Sequence, residues 1–218
     1  MWVLNFWKSQ IGKKVVMAVT GLIGVGFVVG HMLGNLQMFQ GPEKMNRYAA
    51  FLHELGGLLW LARAVLLGAV VLHVAAAVQL TRQKQTARPV GYVTGTQWEV
   101  STFASRSIRW GGALLLFFIV FHLAHFTWRV VFPGYSSTNV YGNVVAGFSK
   151  WYVSLFYLVT MAALFLHLYH GVWSSPRTLG VVQPSRNPLA RRVAPLIAIL
   201  VYLGFSAIPA AVLLGILK

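Results

Sequence analysis

Five long apolar runs separated by polar segments constrain the fold of this chain more than any other feature of its sequence. The first run extends from Val15 to Met38, and about 20 such residues let a helix cross the hydrocarbon core of a bilayer. We therefore predict one all-α membrane domain, residues 1–218, built as a bundle of five transmembrane helices. Their approximate bounds are 14–38, 57–80, 106–131, 149–174 and 191–217.

The segment between the first two runs, residues 39–56, predicts one additional short helix. It places aromatic and leucine side chains at helical spacing among charged residues, namely Tyr48, Phe51, Leu52 and Leu55. This amphipathic pattern is typical of a helix that lies on the membrane surface.

The remaining connecting segments predict loops, because they are rich in polar residues, glycine and proline. They cover residues 81–105, 132–148 and 175–190. In the fifth membrane helix, Pro195 and Pro209 are expected to begin or kink the helix.

Charge and cysteine content exclude several classes of function. The chain carries 18 Lys and Arg against three acidic residues, but these basic residues lie between the apolar runs and form no basic domain, so we exclude nucleic-acid binding. The absence of cysteine excludes disulfides, thiolate catalysis and iron–sulfur ligation by this chain. An electron carrier would therefore be held by histidine or by a partner subunit.

The distribution of Lys and Arg predicts the orientation of the chain. With a cytoplasmic N-terminus, 12 of the 18 basic residues fall on the inner side and six on the outer side. Because cytoplasmic segments carry the excess of positive charge, we expect the N-terminus inside and the C-terminus outside.

Histidines occur inside each of the first four apolar runs. They are His31; His73; His122 and His125; and His167 and His170. An ionisable side chain is costly in hydrocarbon and usually marks a functional site, although a single membrane histidine often provides only an interhelical hydrogen bond. The depths of these residues therefore decide between the two interpretations.

The predicted topology arranges four of these histidines as two pairs. His31 and His122 lie six or seven residues before the outer ends of their helices, whereas His73 and His167 lie seven residues before the inner ends. The sequence thus predicts two pairs of facing histidines, one pair at each level. This pattern matches the axial ligands of two stacked b haems, and ligation by two histidines suits electron transfer. Each ligand ring also needs a hydrogen-bond acceptor, and the carbonyl four residues earlier in the same helix is the expected one.

His125 and His170 each follow a proposed ligand by three residues. Either could replace its neighbour as ligand, or form a hydrogen bond with a haem propionate or a quinone. We favour the deeper member of each pair as the ligand.

Four sequence motifs together resemble one protein family. They are VGHMLGN at 29–35, VVLHVAAAV at 70–78, RWGG followed by FHLAHF within 109–126, and HLYHGVWS at 167–174. The chain resembles the cytochrome b membrane anchor of succinate:quinone oxidoreductases and fumarate reductases, in the form with one polypeptide, five helices and two haems. Whereas some related fumarate reductases have a carboxylate in the fourth helix, this helix has none.

The resemblance implies a function and a set of partners. His31 and His122 would be the axial ligands of the distal haem, and His73 and His167 those of the proximal haem. An iron–sulfur subunit and a flavoprotein subunit would bind the cytoplasmic face and hold the Fe–S clusters and FAD. The chain would then pass electrons from succinate oxidation to a membrane quinone, with menaquinone expected, in a bacterial-type inner membrane, and no dicarboxylate chemistry would occur in it.

The quinone site is only weakly specified by the sequence. The outer candidates are His53 and Glu54, and the inner candidates are Ser107 and Trp110 beside Arg109. For Arg109 we favour a topology signal or a partner for a haem propionate, and for the outer pair we favour an ordinary interfacial helix.

Three other functions remain as alternatives. A di-haem cytochrome b of a hydrogenase or formate dehydrogenase would share the histidine pattern and differ in its partners. A haem-free structural anchor would share only the helices. A proton-coupled transporter is disfavoured, because it predicts unpaired histidine depths and several membrane acids.

Overall fold

The computed structural model describes residues 2–87, 102–183 and 188–218, and the regular elements in these ranges are helical. The α-helices are α1 (Trp2–Lys8), α2 (Gln10–Asn35), α3 (Pro42–Glu54), α4 (Gly57–Thr86), α5 (Phe103–His122), α6 (Val140–Phe148), α7 (Trp151–Thr178) and α8 (Pro188–Leu213). A 3-10 turn, Leu36–Gln40, follows α2, and a π turn, Leu123–Thr127, follows α5.

Five helical spans within the described residues are long and apolar enough to cross a membrane. They contain α2, α4, α5, α7 and α8, and their mean hydropathy lies between 1.7 and 2.4. This confirms the predicted all-α architecture and the number of membrane-length helices.

All three predicted loops contain some helix, and in residues 175–190 it is the end of α7 and the start of α8. Residues 132–148 include α6, which Asn139 caps by accepting a hydrogen bond from the amide of Gly142 at 2.9 Å. Helix α4 continues to Thr86 rather than ending near residue 80, because its polar last turns contain good helix formers such as Gln and Lys. Part of two predicted loops, residues 88–101 and 184–187, lies outside the described residues.

The two prolines of the fifth membrane helix lie inside α8 rather than at its start, since that helix begins at Pro188. The predicted start near residue 191 was therefore slightly late, and Pro195 falls within the helix. Each of these prolines lacks the amide that would donate to the carbonyl four residues earlier, so α8 loses one intrahelical hydrogen bond at Pro195 and one at Pro209.

Helix α3 is the short helix predicted between the first two membrane helices. Pro42 is its first residue, and glycines with positive φ precede and follow it: Gly41 at 93° and Gly56 at 53°. These conformations favour glycine because a Cβ atom would be strained there. Tyr48 of α3 packs so closely on Gly34 of α2 that a Cβ at position 34 would lie 2.8 Å from its ring.

Helix α7 is the centre of the bundle, because it packs against α2, α5 and α8. Helix α4 packs chiefly against α2. In contrast, the backbones of α2 and α5, and those of α4 and α7, make little direct contact in the described part of the chain.

Consecutive membrane helices run in opposite directions, which places the candidate residues at two levels. Within the first half of α2, Thr20 contacts His73 of α4, and within the first half of α5, Gly112 lies beside His167 of α7. We call this the near end of the bundle. The far end holds the end of α2, the end of α5 and the start of α7, where His122 meets Tyr157.

Candidate functional site

The far end contains the first histidine pair. His31 on α2 and His122 on α5 have ring centroids 5.9 Å apart, with an angle of 86° between the ring planes. Phe27 stacks on His31 at 5.2 Å, and Phe118 lies 5.6 Å from His122, so apolar rings flank the pair. The structure therefore brings together the two residues that the sequence placed at the outer depth.

The near end contains the second pair. His73 on α4 and His167 on α7 have ring centroids 6.1 Å apart, with an angle of 55° between the planes. Both rings are half-buried. These are the two residues that the sequence placed at the inner depth.

Both pairs have the separation expected for two imidazoles bound to opposite sides of one metal ion. A metal–imidazole bond of about 2 Å places the centroids of two axial rings roughly 6 to 6.5 Å apart. In addition, each pair joins two helices whose backbones make little direct contact: α2 with α5, and α4 with α7. The rings of each pair thus meet between helices that do not otherwise pack backbone against backbone.

The two pairs lie at clearly different depths. His73 is level with Met17 and Gly21 of α2, while His31 follows ten to fourteen residues later in the same helix. At 1.5 Å per residue, this corresponds to roughly 15 to 21 Å along the bundle axis. The arrangement is therefore suited to two cofactors placed one above the other.

A hydrogen bond determines which nitrogen of His73 is available. Its Nδ1 lies 3.1 Å from the main-chain oxygen of Met17 and 3.2 Å from Oγ1 of Thr20. Because a carbonyl oxygen only accepts, Nδ1–H must be the donor, and the lone pair of a neutral His73 is then on Nε2. The acceptor comes from α2, whereas the sequence had led us to expect a carbonyl of α4.

His167 has an unsatisfied polar atom next to a cleft. Its Nδ1 is buried and has no hydrogen-bond partner among the described residues. A cleft of about 130 Å³ lies beside the ring, between α5 and α7, lined by Phe103, Ser107, Ile108, Gly111, Ala163, Leu166 and His167. A buried nitrogen without a partner is costly, so this ring fits a ligand that comes from outside the chain.

His125 belongs to a different structure from the two pairs. It is fully buried within the π turn, with Nδ1 2.9 Å from the hydroxyl of Tyr157 and Nε2 3.1 Å from the hydroxyl of Tyr135. Both ring nitrogens therefore have protein partners, which favours His122 over His125 as the ligand. Burial raises the pKa of Tyr135 to about 12, so its hydroxyl stays protonated at neutral pH.

The hydroxyl of Tyr157 also contacts the far-end pair, because it lies 3.2 Å from Nδ1 of His122. On the other side of the pair, Nδ2 of Asn35 donates to the carbonyl of His31 at 2.7 Å and lies 3.3 Å from each of its ring nitrogens. One ring nitrogen of His122 thus has a defined hydrogen-bond partner, whereas the Asn35 amide lies equally far from both ring nitrogens of His31.

The remaining candidates lie in varied positions. His170 is half-buried on α7 and forms no side-chain hydrogen bond with a described residue. His53 and Glu54 are exposed at the end of α3, and Arg109 and Trp110 are exposed on α5, with Trp110 at 81%. Of the quinone candidates, Ser107 lines the cleft beside His167, and its hydroxyl donates to the carbonyl of Phe103 at 3.0 Å.

Sequence reasoning missed Tyr157, Tyr135 and the carbonyl of Met17. A signal existed for Tyr157, since a tyrosine inside an apolar run needs a hydrogen-bond partner and the motif FHLAHF offers two histidines. No sequence pattern points to the carbonyl of Met17, because every residue has one.

No group of three or more His, Asp or Glu residues that could hold a metal ion occurs among the described residues, whereas axial ligation of haem requires only two side chains. Comparison of the chain with protein-family models, with curated proteins and with solved structures found no match in any of the three.

Proposed function

We propose that this chain is the di-haem cytochrome b membrane anchor of a succinate:quinone oxidoreductase. The observation that carries the proposal is the presence of two interhelical histidine pairs with ring centroids 5.9 and 6.1 Å apart, each between helices whose backbones make little direct contact. The sequence motifs supply the family, and the geometry of the pairs supports the cofactor. Membrane insertion with the N-terminus inside, in a bacterial-type inner membrane, is part of the proposal.

In this proposal the four paired histidines hold two haem b groups. His31 and His122 bind at the far end, and His73 and His167 at the near end. Haem b held by these histidines would supply one-electron transfer rather than substrate binding. The chain's own contribution is to orient the rings through the carbonyl of Met17 and the hydroxyl of Tyr157, and to exclude water with apolar side chains.

The near end of the bundle is the proposed docking face for an iron–sulfur subunit that binds together with a flavoprotein subunit. Exposed basic side chains occur at the ends of the helices there, namely Lys14, Arg82, Lys84, Arg109 and Arg177. Such a basic face favours and orients an acidic partner. The Fe–S clusters would reside in these partners, because this chain has no cysteine to bind them, and the flavoprotein subunit would hold FAD.

A membrane quinone, with menaquinone expected, is the proposed electron acceptor. The cleft that contains Ser107 lies beside the near-end pair and is the best-supported location for a quinone head group. His53 and Glu54 offer a solvent-exposed alternative at the other end of the chain's bundle.

Absorption spectroscopy and co-purification test the proposal at two levels. Dithionite-reduced minus oxidised spectra of the purified chain should show b-type bands, with haem extraction giving two haems per chain. Affinity purification from the native membrane should recover a flavoprotein and an iron–sulfur protein with succinate dehydrogenase activity. Absence of b-type bands overturns the cofactor assignment, and recovery of hydrogenase or formate dehydrogenase subunits overturns the assignment of the partner.

A further inference from the structure

Four side chains form a continuous hydrogen-bonded line at the far end of the bundle. It runs from Nδ1 of His122 to the hydroxyl of Tyr157 (3.2 Å), to Nδ1 of His125 (2.9 Å), and from Nε2 of His125 to the hydroxyl of Tyr135 (3.1 Å). The line connects a proposed haem ligand on α5 with the segment that precedes α6. It is separate from the contacts between the two histidines of the pair.

Tyr157 is buried, and the two histidines are the only described partners of its hydroxyl, so its O–H must donate to one of them. With both imidazoles neutral, this requirement leaves two arrangements of the protons along the line. In the first, His122 donates to Tyr157, Tyr157 donates to His125, and His125 donates to Tyr135. In the second, every donor and acceptor is reversed. Each neutral imidazole has one donor and one acceptor nitrogen, and the single O–H of Tyr157 can donate to only one of its two histidine partners, so these two arrangements differ at all three bonds.

Only the first arrangement leaves the Nε2 lone pair of His122 free. In the second arrangement His122 carries its proton on Nε2 and accepts on Nδ1, so Nε2 cannot bind a metal. Selection of one tautomer at His125 is therefore coupled to the ligand competence of His122, although His125 itself touches no metal.

Local packing is built around this line. His125 is fully buried, and a Cβ atom at Gly147 of α6 would lie 2.8 Å from its Nε2 and 2.7 Å from the hydroxyl of Tyr135. Glycine at position 147 thus leaves the space in which the two groups meet. The ring of Phe126 also stacks on His125 at 3.8 Å, which restricts its rotation.

We propose that Tyr157 and His125 are positioning residues that hold His122 in its metal-binding tautomer and strengthen its donation to the iron. This inference rests on the proposed function, since it concerns the far-end haem. A hydrogen bond accepted from the Nδ1–H of a ligand histidine raises the basicity of the ligand, and its loss typically changes metal binding by 10-fold or more. A more basic ligand favours the ferric form of the iron.

The test is a redox titration of the haems in membranes that contain the full chain. In Tyr157→Phe, the ratio of ferric to ferrous affinity at the far-end haem should fall about 10-fold, which raises its midpoint potential by about 59 mV for one electron. The near-end haem should keep its potential and provides an internal control. Tyr169→Phe is the matched control, because this tyrosine lies on the same helix and packs on Phe165 without a hydrogen bond to a described residue.

A second pair of variants tests the same line without altering Tyr157. In His125→Leu, the Tyr157 hydroxyl loses its acceptor and can donate to His122 instead, so the far-end haem should be partly lost or shifted upward in potential. In His125→Gln, the amide oxygen can accept from Tyr157 and should restore much of the wild-type signal. This pair decides the question if Tyr157→Phe does not accumulate in the membrane.

The outcomes separate this inference from the proposed function. The positioning role would be overturned, with the haems still in place, if neither Tyr157→Phe nor His125→Leu changes the far-end haem. The readouts are its midpoint potential and its low-temperature electron paramagnetic resonance spectrum. Equal loss of both haems in every variant, Gln included, would show that these residues only support the fold. A wild-type chain without b-type bands would remove the proposed function itself.

Discussion

Nδ1 of His73 lies 3.1 Å from the main-chain oxygen of Met17, so a backbone group of α2 determines which nitrogen of an α4 side chain carries the proton. A carbonyl cannot be removed by changing the side chain, which makes this orientation resistant to most substitutions at position 17. The far-end pair is organised differently, because the partner of His122 is the hydroxyl of Tyr157. We therefore expect the two proposed haem sites to differ in their sensitivity to mutation.

The two histidine pairs should behave as independent binding units. Replacement of His73 or His167 with Ala should remove the near-end haem and leave the far-end signal, because each pair spans its own two helices. Replacement of His31 or His122 should have the opposite effect. Haem extraction and reduced-minus-oxidised spectra measure the outcome as one haem per chain instead of two. A variant of one pair that loses only the haem assigned to the other would contradict the pairing.

Gly21 should be required for the position of His73. A Cβ atom at Gly21 would lie 3.3 Å from Cε1 of His73, whereas Cβ at Gly24 would meet nothing within 4 Å. Gly21→Val should therefore displace the imidazole and lower occupancy of the near-end haem severalfold, while Gly24→Val should not. Spectra of the two variants at equal protein concentration provide the measurement, and equal haem content in both would count against a role for this contact.

Gly34 should be required for packing of α3 on α2. Ala at this position would place Cβ 2.8 Å from the ring of Tyr48, and such overpacking typically destabilises by about 1 to 3 kcal/mol. Gly34→Ala should lower the midpoint of thermal unfolding in detergent and increase proteolysis within residues 39–56. Gly68→Ala is the control, because nothing lies within 4 Å of its added Cβ and alanine favours helix by roughly 0.5 to 1 kcal/mol. Destabilisation of similar size in both variants would contradict this prediction.

The proposed orientation can be measured by single-cysteine labelling, since the natural chain has no cysteine. Gln85 at the end of α4 and Ser137 before α6 are exposed and belong to opposite ends of the bundle. A membrane-impermeant maleimide added to intact cells should label Ser137→Cys, whereas Gln85→Cys should be labelled only after the membrane is permeabilised. The reverse pattern would place the N-terminus outside and the near-end docking face away from the cytoplasm.

Much of the architecture could be predicted because its causes are local. The length of the apolar runs determines helices that are long enough to cross a bilayer, and α3 follows from the spacing of aromatic side chains around Tyr48. The pairing of His31 with His122 and of His73 with His167 needed only their positions along the helices and an alternating topology. The structure places the rings of these same pairs 5.9 and 6.1 Å apart.

Other features could not be predicted, since they arise from contacts between distant segments. Helix α6 lies in a stretch rich in Gly, Ser and Asn, where local propensity is weak, and it is stabilised by burial of Val144 and Phe148 against the far-end core. The role of His125 also depended on tertiary contacts, because its distance from Tyr135 and Tyr157 is not visible in a motif. From the spacing of the histidines along the sequence, His125 was an alternative to His122 as haem ligand.

The sequence by itself determined the membrane-length helices, the absence of cysteine chemistry and the depth of each histidine, because hydrophobicity and helical rise act along the chain. The tertiary structure alone decided which atoms each imidazole meets: the carbonyl of Met17 for His73, and the hydroxyl of Tyr157 for both His122 and His125. Hydrogen bonds of this kind depend on distances of about 3 Å between separate helices, and only the packing of those helices sets such distances.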